Sequence, residues 1–239
     1  MRVALLADIH ANIAALDAVL AEVRREGIAQ LVLLGDFVGY FYEPRAVIEA
    51  LAQFDCIAIR GNHDRMAIEA RSDGARLRQY RSRYGSGLDA VIEQFDAEHW
   101  QWLGALPETR DVALGTLKVR LAHGAPFDPD AYIYPDSSQD RFAQVVEGFD
   151  GDAIWLGHTH WPMMRPGPPA LVNPGSVGQP RDIGGLASWA IVHADTGVTA
   201  MRRTEFDVAG LQSACAARDP DRIALSRRLM RGRLDRAAA

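Results

Sequence analysis

Aspartate, asparagine and histidine recur in five short clusters along the 239-residue chain: Asp8-Ile9-His10, Gly35-Asp36, Gly61-Asn62-His63-Asp64, His123-Gly124 and Gly157-His158-Thr159-His160. Five of the seven histidines fall inside them. Oxygen and imidazole donors without thiolate suit manganese, iron, cobalt, nickel or zinc, whereas all-oxygen sets suit magnesium or calcium. Two such ions about 3.5–4 Å apart share a water, lower its pKa and stabilise the attacking and leaving oxygens of an in-line phosphoryl displacement. The pattern therefore reads as a two-metal hydrolytic site. A carboxylate must join the ions. Asp36, alone after an apolar run and beside Gly35, which lets the backbone turn sharply, is the candidate. Asp8 and His10 alternate on a stretch read as extended, so both reach one ion, and His158 and His160 are read the same way.

These side chains must be gathered from distant positions, and the sequence around them supplies the means. Each cluster follows an apolar run with the character of a strand. Residues 3–7, 31–34 and 56–59 read as strands. Between them Ile13, Leu16, Leu20 and Val23 recur at helical spacing, with Asn12 as N-cap and Gly27 as terminator, and a second helix covers 47–51 after Pro44. Strand, helix, strand, helix, strand predicts a parallel sheet with right-handed crossovers, whose carboxyl edge collects the ligands. Residues 65–106 are polar and Arg-rich, with Leu88, Val91, Ile92 and Phe95 at helical spacing, and read as a helical excursion. Beyond it, 112–114 and 117–122 form a hairpin through Gly115-Thr116, and short strands are expected at 154–156, 170–172, 189–193 and 198–202, giving two sheets face to face. The segment 124–136, with Phe127, Tyr132 and Tyr134, reads as an aromatic-anchored surface loop. A lid or a base-stacking wall is the alternative.

Composition narrows the classes. A net charge of −5 and a pI near 5.8 exclude a body that holds nucleic acid by bulk charge. Cys56 and Cys215 are far apart and outside any C-x-x-C pattern, so neither a disulfide framework nor a thiolate zinc site is indicated, and a reducing cytoplasm is expected. Asp8 and His10 interrupt the N-terminal apolar stretch, and no run approaches the about 20 apolar residues of a membrane span. Lys118 is the one lysine among 26 basic residues, which points to GC-rich, bacterial coding. A hydrophobic content of 48% over this length supports a single domain, 1–239. The stretch 218–236 reads as an amphipathic basic helix, with Arg222, Arg227, Arg228, Arg231, Arg233 and Arg236 around Ile223, Leu225 and Leu229. Docking of its apolar side on the body is expected, with RNA or an anionic surface as the alternative partner. His99 and His193 read as packing or surface residues.

The ordered set D-x-H, G-D, G-N-H-D, H and G-H-x-H resembles the calcineurin-like metallophosphoesterase superfamily, and it spans Asp8 to His160. That resemblance implies an α/β fold, a four-layer αββα sandwich of two central mixed β-sheets flanked by helices. It implies two divalent transition-metal ions, with manganese the leading choice and iron, nickel, cobalt or zinc as alternatives. Asp8, His10, Asp36 and His160 would hold the first, and Asp36, Asn62, His123 and His158 the second. His63 would be catalytic, giving a proton to the leaving group or holding the phosphoryl oxygen, and Asp64 is grouped with it as support for its loop.

Two departures bear on substrate. Protein Ser/Thr phosphatases of the superfamily carry G-D-x-V-D-R-G, whereas Gly39 and Tyr40 stand here in place of their aspartate and arginine. Loss of the arginine fork weakens recognition of a dianionic monoester, and loss of the aspartate leaves the partner of His63 unidentified. Small bacterial phosphodiesterase-like members resemble the chain further, through G-D-x-V-G-Y and an Asn-Pro-Gly-Ser turn matched by Asn173-Pro174-Gly175-Ser176, with Gln179-Pro180-Arg181 following. Phe41 stands where many of them have glycine. Asn62, His63, Tyr40 and Arg181 are the expected substrate-binding residues, while Ser176 reads as part of a structural turn. The expected activity is metal-dependent hydrolysis of phosphodiesters or small phosphorylated metabolites by a metal-bridging water. A phosphomonoesterase or a dinucleoside polyphosphate hydrolase on the same site is the alternative. A non-catalytic scaffold, like the retromer subunit of this superfamily, ranks lower because the chain keeps every motif histidine. The oligomeric state is left open.

Overall fold

The computed structural model describes residues 1–231. In chain order the elements are β1 (Arg2–Leu6), α1 (Ile13–Arg25), β2 (Gln30–Leu33), α2 (Pro44–Leu51), β3 (Asp55–Ala58), α3 (Asn62–Ala70), α4 (Gly74–Tyr84), α5 (Gly87–Gln94) and α6 (Ala97–Ala105). Then follow β4 (Thr109–Leu114), β5 (Leu117–Ala122), α7 (Gln139–Val146), β6 (Ala153–Trp155), β7 (Pro162–Arg165), β8 (Ala170–Pro174), β9 (Leu186–His193), β10 (Thr199–Glu205), α8 (Val208–Arg218) and α9 (Ile223–Arg228).

Two mixed five-stranded sheets result, ordered β10-β9-β1-β2-β3 and β4-β5-β6-β8-β7. In the first, β1, β2 and β3 are parallel, as their βαβ order requires, and β9 and β10 add antiparallel at the other side of β1. In the second, β5, β6 and β8 are parallel, with β4 and β7 antiparallel at the edges. Both faces of β1 are covered, so it reads as a continuous apolar run. Alternation assigns the faces: Val3 and Leu5 join Val119, Leu121, Trp155 and Val172 in the core between the sheets, while Ala4 and Leu6 face the helices. Leu16, Leu20 and Val23 of α1, Val47 and Leu51 of α2, Val91 of α5, Leu103 of α6 and Leu211 of α8 pack on that outer face. Phe142 and Val145 of α7 cover the outer face of the second sheet through Ile154 and Leu171. The layers are thus helix, sheet, sheet, helix.

Local chemistry accounts for the element ends. The Asn12 side chain accepts from the Ala15 N–H at 3.1 Å and starts α1, and Arg24 and Arg25 in its last turn meet the negative end of the helix dipole. Segment 65–106 is drawn from four helices, α3 to α6. Three elements escape sequence reading: β7, α7 and α8, whose residues 208–218 precede the stretch expected to be helical. Pro162 signals a break, yet it opens β7, an edge strand where its missing N–H costs no ladder bond. α7 buries only Phe142 and Val145, too few positions to set a period.

The basic helix expected over 218–236 is corrected. α8 ends at Arg218 and α9 starts at Ile223, because Pro220 cannot continue a helix and biases Asp219 away from helical geometry. Arg233 and Arg236 lie outside the described residues. Leu225 and Leu229 are buried, and Arg218 bonds Glu93 at 2.8 Å. Among the described residues no helix is long and apolar enough to cross a membrane.

Candidate metal centre

Every parallel strand delivers chemistry just past its carboxyl end. β1 leads to Asp8 and His10, β2 to Asp36, β3 to Asn62 and His63, β5 to His123, β6 to His158 and His160, and β8 to Ser176 and Arg181. The backbone there is not extended. Asp8, His10, Asp36, His158 and His160 all have φ between +51° and +65°. Such left-handed geometry at residues other than glycine persists only where the surroundings enforce it, and it concentrates at functional sites. This corrects the alternation argument. Asp8 and His10 do converge, but His158 and His160 turn into different groups.

Two groups form, and all ligand atoms within each lie within 4.8 Å of one another: Asp8, His10, Asp36 and His160 in one, Asp36, His123 and His158 in the other. Asp36 belongs to both. Its Oδ2 is 3.5 Å from His10 Nε2 and 3.4 Å from His123 Nε2. Asp8 Oδ1 lies 3.4 Å from His160 Nε2, and Asn62 Oδ1 lies 3.0 Å from His123 Nε2 and 2.9 Å from His158 Nδ1. All of these residues are buried.

The surrounding backbone fixes the ring orientations. Nδ1 of His10, His123 and His160 meets the carbonyls of Val38 at 3.0 Å, Leu34 at 2.7 Å and Gln179 at 2.7 Å. A carbonyl can only accept, so each Nδ1 carries a proton and each Nε2 faces the centre, as a lone pair on the neutral rings of His10 and His160, the arrangement usual for metal-binding imidazoles. Asp36 Oδ1 accepts the His63 N–H at 2.8 Å, at the positive N-terminus of α3. Gly61 must be glycine, because a Cβ there would come within 2.2 Å of that oxygen.

Asp64 faces away from the centre. Its carboxylate accepts four backbone N–H groups: Asp36 at 2.8 Å, Phe37 at 2.9 Å, Val38 at 3.2 Å and Gly61 at 2.9 Å. Both oxygens are occupied in clamping the Asp36 loop to α3, in keeping with the supporting role expected of it. The Asn-Pro-Gly-Ser turn works alike. Ser176 donates to the Asp8 carbonyl at 2.7 Å, and Asn173 donates to the Gly157 carbonyl at 2.6 Å.

The electrostatics fit divalent ions. Burial pushes the Asp8 carboxyl up to about 8. Burial alone would lower His123, but Asp36, Asp8 and the Leu34 carbonyl together push it up to about 10. Burial holds His10 and His160 well below the usual imidazole range, and His158 falls to about 3. Protons on Asp8 and His123 thus balance a carboxylate-rich pocket that bound cations would balance instead. His158 Nε2 is buried without a partner among the described residues. Residues 1–197 match the family described as the calcineurin-like phosphoesterase superfamily domain. The chain belongs to that superfamily. It is 30% identical to protein MJ0912 of Methanocaldococcus jannaschii over 225 residues, covering 86% of this chain and 88% of that one. A metallophosphoesterase from Sphaerobacter thermophilus is similar in structure, with a TM-score of 0.78, 30% identity and coverage of 96% and 98%. So is hypothetical protein PH1004 from Pyrococcus horikoshii OT3, with a TM-score of 0.83, 25% identity and coverage of 97% and 98%.

Around this phosphoesterase centre stand the expected substrate groups. The Tyr40 ring lies 4.7 Å from His10 and 4.7 Å from His63. His63 Nδ1 is buried without a partner among the described residues, and burial lowers its pKa. A Cβ on Gly39 would come within 2.4 Å of that nitrogen, so the position where an aspartate was missed abuts the ring directly. The Arg181 charge acts on Asp8, His10, His63, His158 and His160, and its Nε is buried without an acceptor among the described residues. Sequence reading did not single out Tyr84, whose ring is 4.8 Å from His63. It sits at the end of a polar helix, where nothing in the pattern marks it. Tyr132 of the 124–136 loop lies 4.1 Å from the His158 ring and against Arg181, on the wall of the site, yet is 47% exposed. His99 stacks on Phe95 and bonds Asp96, while His193 is exposed, both away from the centre.

Proposed function

We propose that this superfamily member is a dinuclear metal-dependent hydrolase of phosphodiesters or small phosphorylated metabolites. The observation that carries the reading is the sharing of Asp36 Oδ2 between two sets of buried donors. Two divalent ions held there, manganese first by donor type and iron, nickel, cobalt or zinc otherwise, would lower the pKa of a shared water as nucleophile and draw charge from the phosphoryl oxygens.

The chain's own residues do the rest. The α3 N-terminus and the Asn62 amide face the developing negative charge, and the Arg181 guanidinium adds a fixed positive charge over the donors. His63, beside His10 and under Tyr40, is placed to hold a phosphoryl oxygen or pass a proton to the departing alkoxide. Tyr40 occupies the place of a phosphate-clamping arginine, which favours a monoanionic diester over a dianionic monoester. The free thiols Cys56 and Cys215 suit a reducing cytoplasm.

The experiment is turnover of bis-p-nitrophenyl phosphate against p-nitrophenyl phosphate by metal-stripped protein before and after Mn²⁺ is restored. Mn²⁺-dependent cleavage of the diester supports the reading. Cleavage of the monoester alone moves it to a phosphatase, and cleavage of neither with two ions bound contradicts it for simple esters.

A further inference from the structure

A cavity of about 560 Å³, within the range of small-molecule sites, is lined by Tyr40 and Tyr84, whose rings also contact His63. Its wall includes Arg83, Arg222 and Arg228, with Asp221 the one carboxylate among the described lining residues. None of the three arginines pairs with a carboxylate among the described residues. Arg222 donates to the backbone carbonyls of Ser82 and Arg83, Arg228 reaches Gln179 Oε1 at 3.4 Å, and Arg83 lies over the Tyr84 ring at 5.1 Å.

Gln179 ties the cavity to the centre. Its backbone carbonyl holds His160 Nδ1 while its side-chain amide meets Arg228, and its Nε2, fully buried, has no acceptor among the described residues. Guanidinium groups without carboxylate partners bind phosphate through paired N–H donors, and Tyr40 and Tyr84 link their cavity to His63.

We propose that this cavity is a second anion subsite, receiving a phosphate group carried on the alcohol arm of the ester, so that preferred substrates bear two phosphates. The proposal rests on the phosphoesterase reading for the position of the first phosphate. The test is calorimetric binding of α,ω-alkane bisphosphates of two to six carbons, against the matching alkyl monophosphates, to Mn²⁺-loaded protein. The comparison is repeated in Arg83→Ala/Arg228→Ala, after its metal content and melting temperature are shown to match the wild type. One chain length is expected to bind the wild type at least tenfold more tightly than its monophosphate, with the ratio falling to about one in the double variant. Equal binding at every length, or a preference that survives the double substitution, overturns the subsite. Binding is read without turnover, so failure to cleave bis-p-nitrophenyl phosphate would strike the phosphoesterase reading and leave this test intact.

Discussion

The Nε2 atoms of His10 and His160 face each other at 3.0 Å, and each ring has committed its Nδ1 proton to a backbone carbonyl. Two neutral rings so fixed present lone pair to lone pair, which is repulsive unless a cation lies at the meeting point. Burial keeps both rings from holding that cation as a proton. The contact is a place built for a metal ion.

Metal affinity should rise with pH. Asp8, raised to about 8, and His123, raised to about 10, keep protons at neutrality that an ion must expel. Asp8 belongs to one ligand group and His123 to the other, so each ion expels one proton and affinity gains up to about tenfold per pH unit, below pH 8 where Asp8 is a ligand and below pH 10 where His123 is. The same raised values mean that the metal-free protein loses stability from Asp8 as pH climbs from about 4 through 8, and from His123 through 10. Thermal melts with and without Mn²⁺ should show an increment that grows from pH 6 to 9. An increment independent of pH contradicts the assignment.

Asp64→Asn tests the loop clamp. Four amide donors hold Asp64 as a carboxylate against the burial and the Asp36 charge that push its pKa up to about 7. An amide turns its NH2 toward some of those donors and leaves them unmet, costing on the order of 2–4 kcal/mol, or roughly 4–16 °C in melting temperature. A variant that melts with the wild type shows that the clamp contributes nothing.

Gly39→Ala should displace His63. Gly39 has φ +89°, and the added Cβ would come within 2.4 Å of His63 Nδ1. Turnover of the diester is expected to fall about a hundredfold, the low end of a general-acid contribution, with two ions still bound. His63→Gln should match it. Retained turnover in both removes His63 from the chemistry.

The fold and the positions of the centre were legible in the sequence because strand runs are apolar, ligands follow them and the ordered motifs are specific. β1 buries both faces and could read in no other way, and Asn12 caps α1 by the side chain that marked it. What lay hidden was conformational. Nothing in Gly-His-Thr-His distinguishes extended alternation from the left-handed turns at His158 and His160, and these separate the two rings. Asp64 sits one residue from His63, yet its direction depends on backbone amides contributed from 26 to 28 residues away. Arg228 and Arg83 meet only because α9 folds back over α4, a long-range packing event that local spacing does not encode.

Arg181 should act through binding. Arg181→Ala is expected to raise KM for the diester about tenfold, and Arg181→Lys to recover part of that, since a lysine keeps the charge without the fork. An unchanged KM in the alanine variant places Arg181 outside the substrate site.

The most direct measurement counts ions. Metal-stripped protein titrated with Mn²⁺, freed of excess and analysed by elemental mass spectrometry, should hold two ions per chain, and Asp36→Asn should hold at most one tightly. One ion or none in the wild type, or two held equally well in Asp36→Asn, contradicts a centre joined by Asp36.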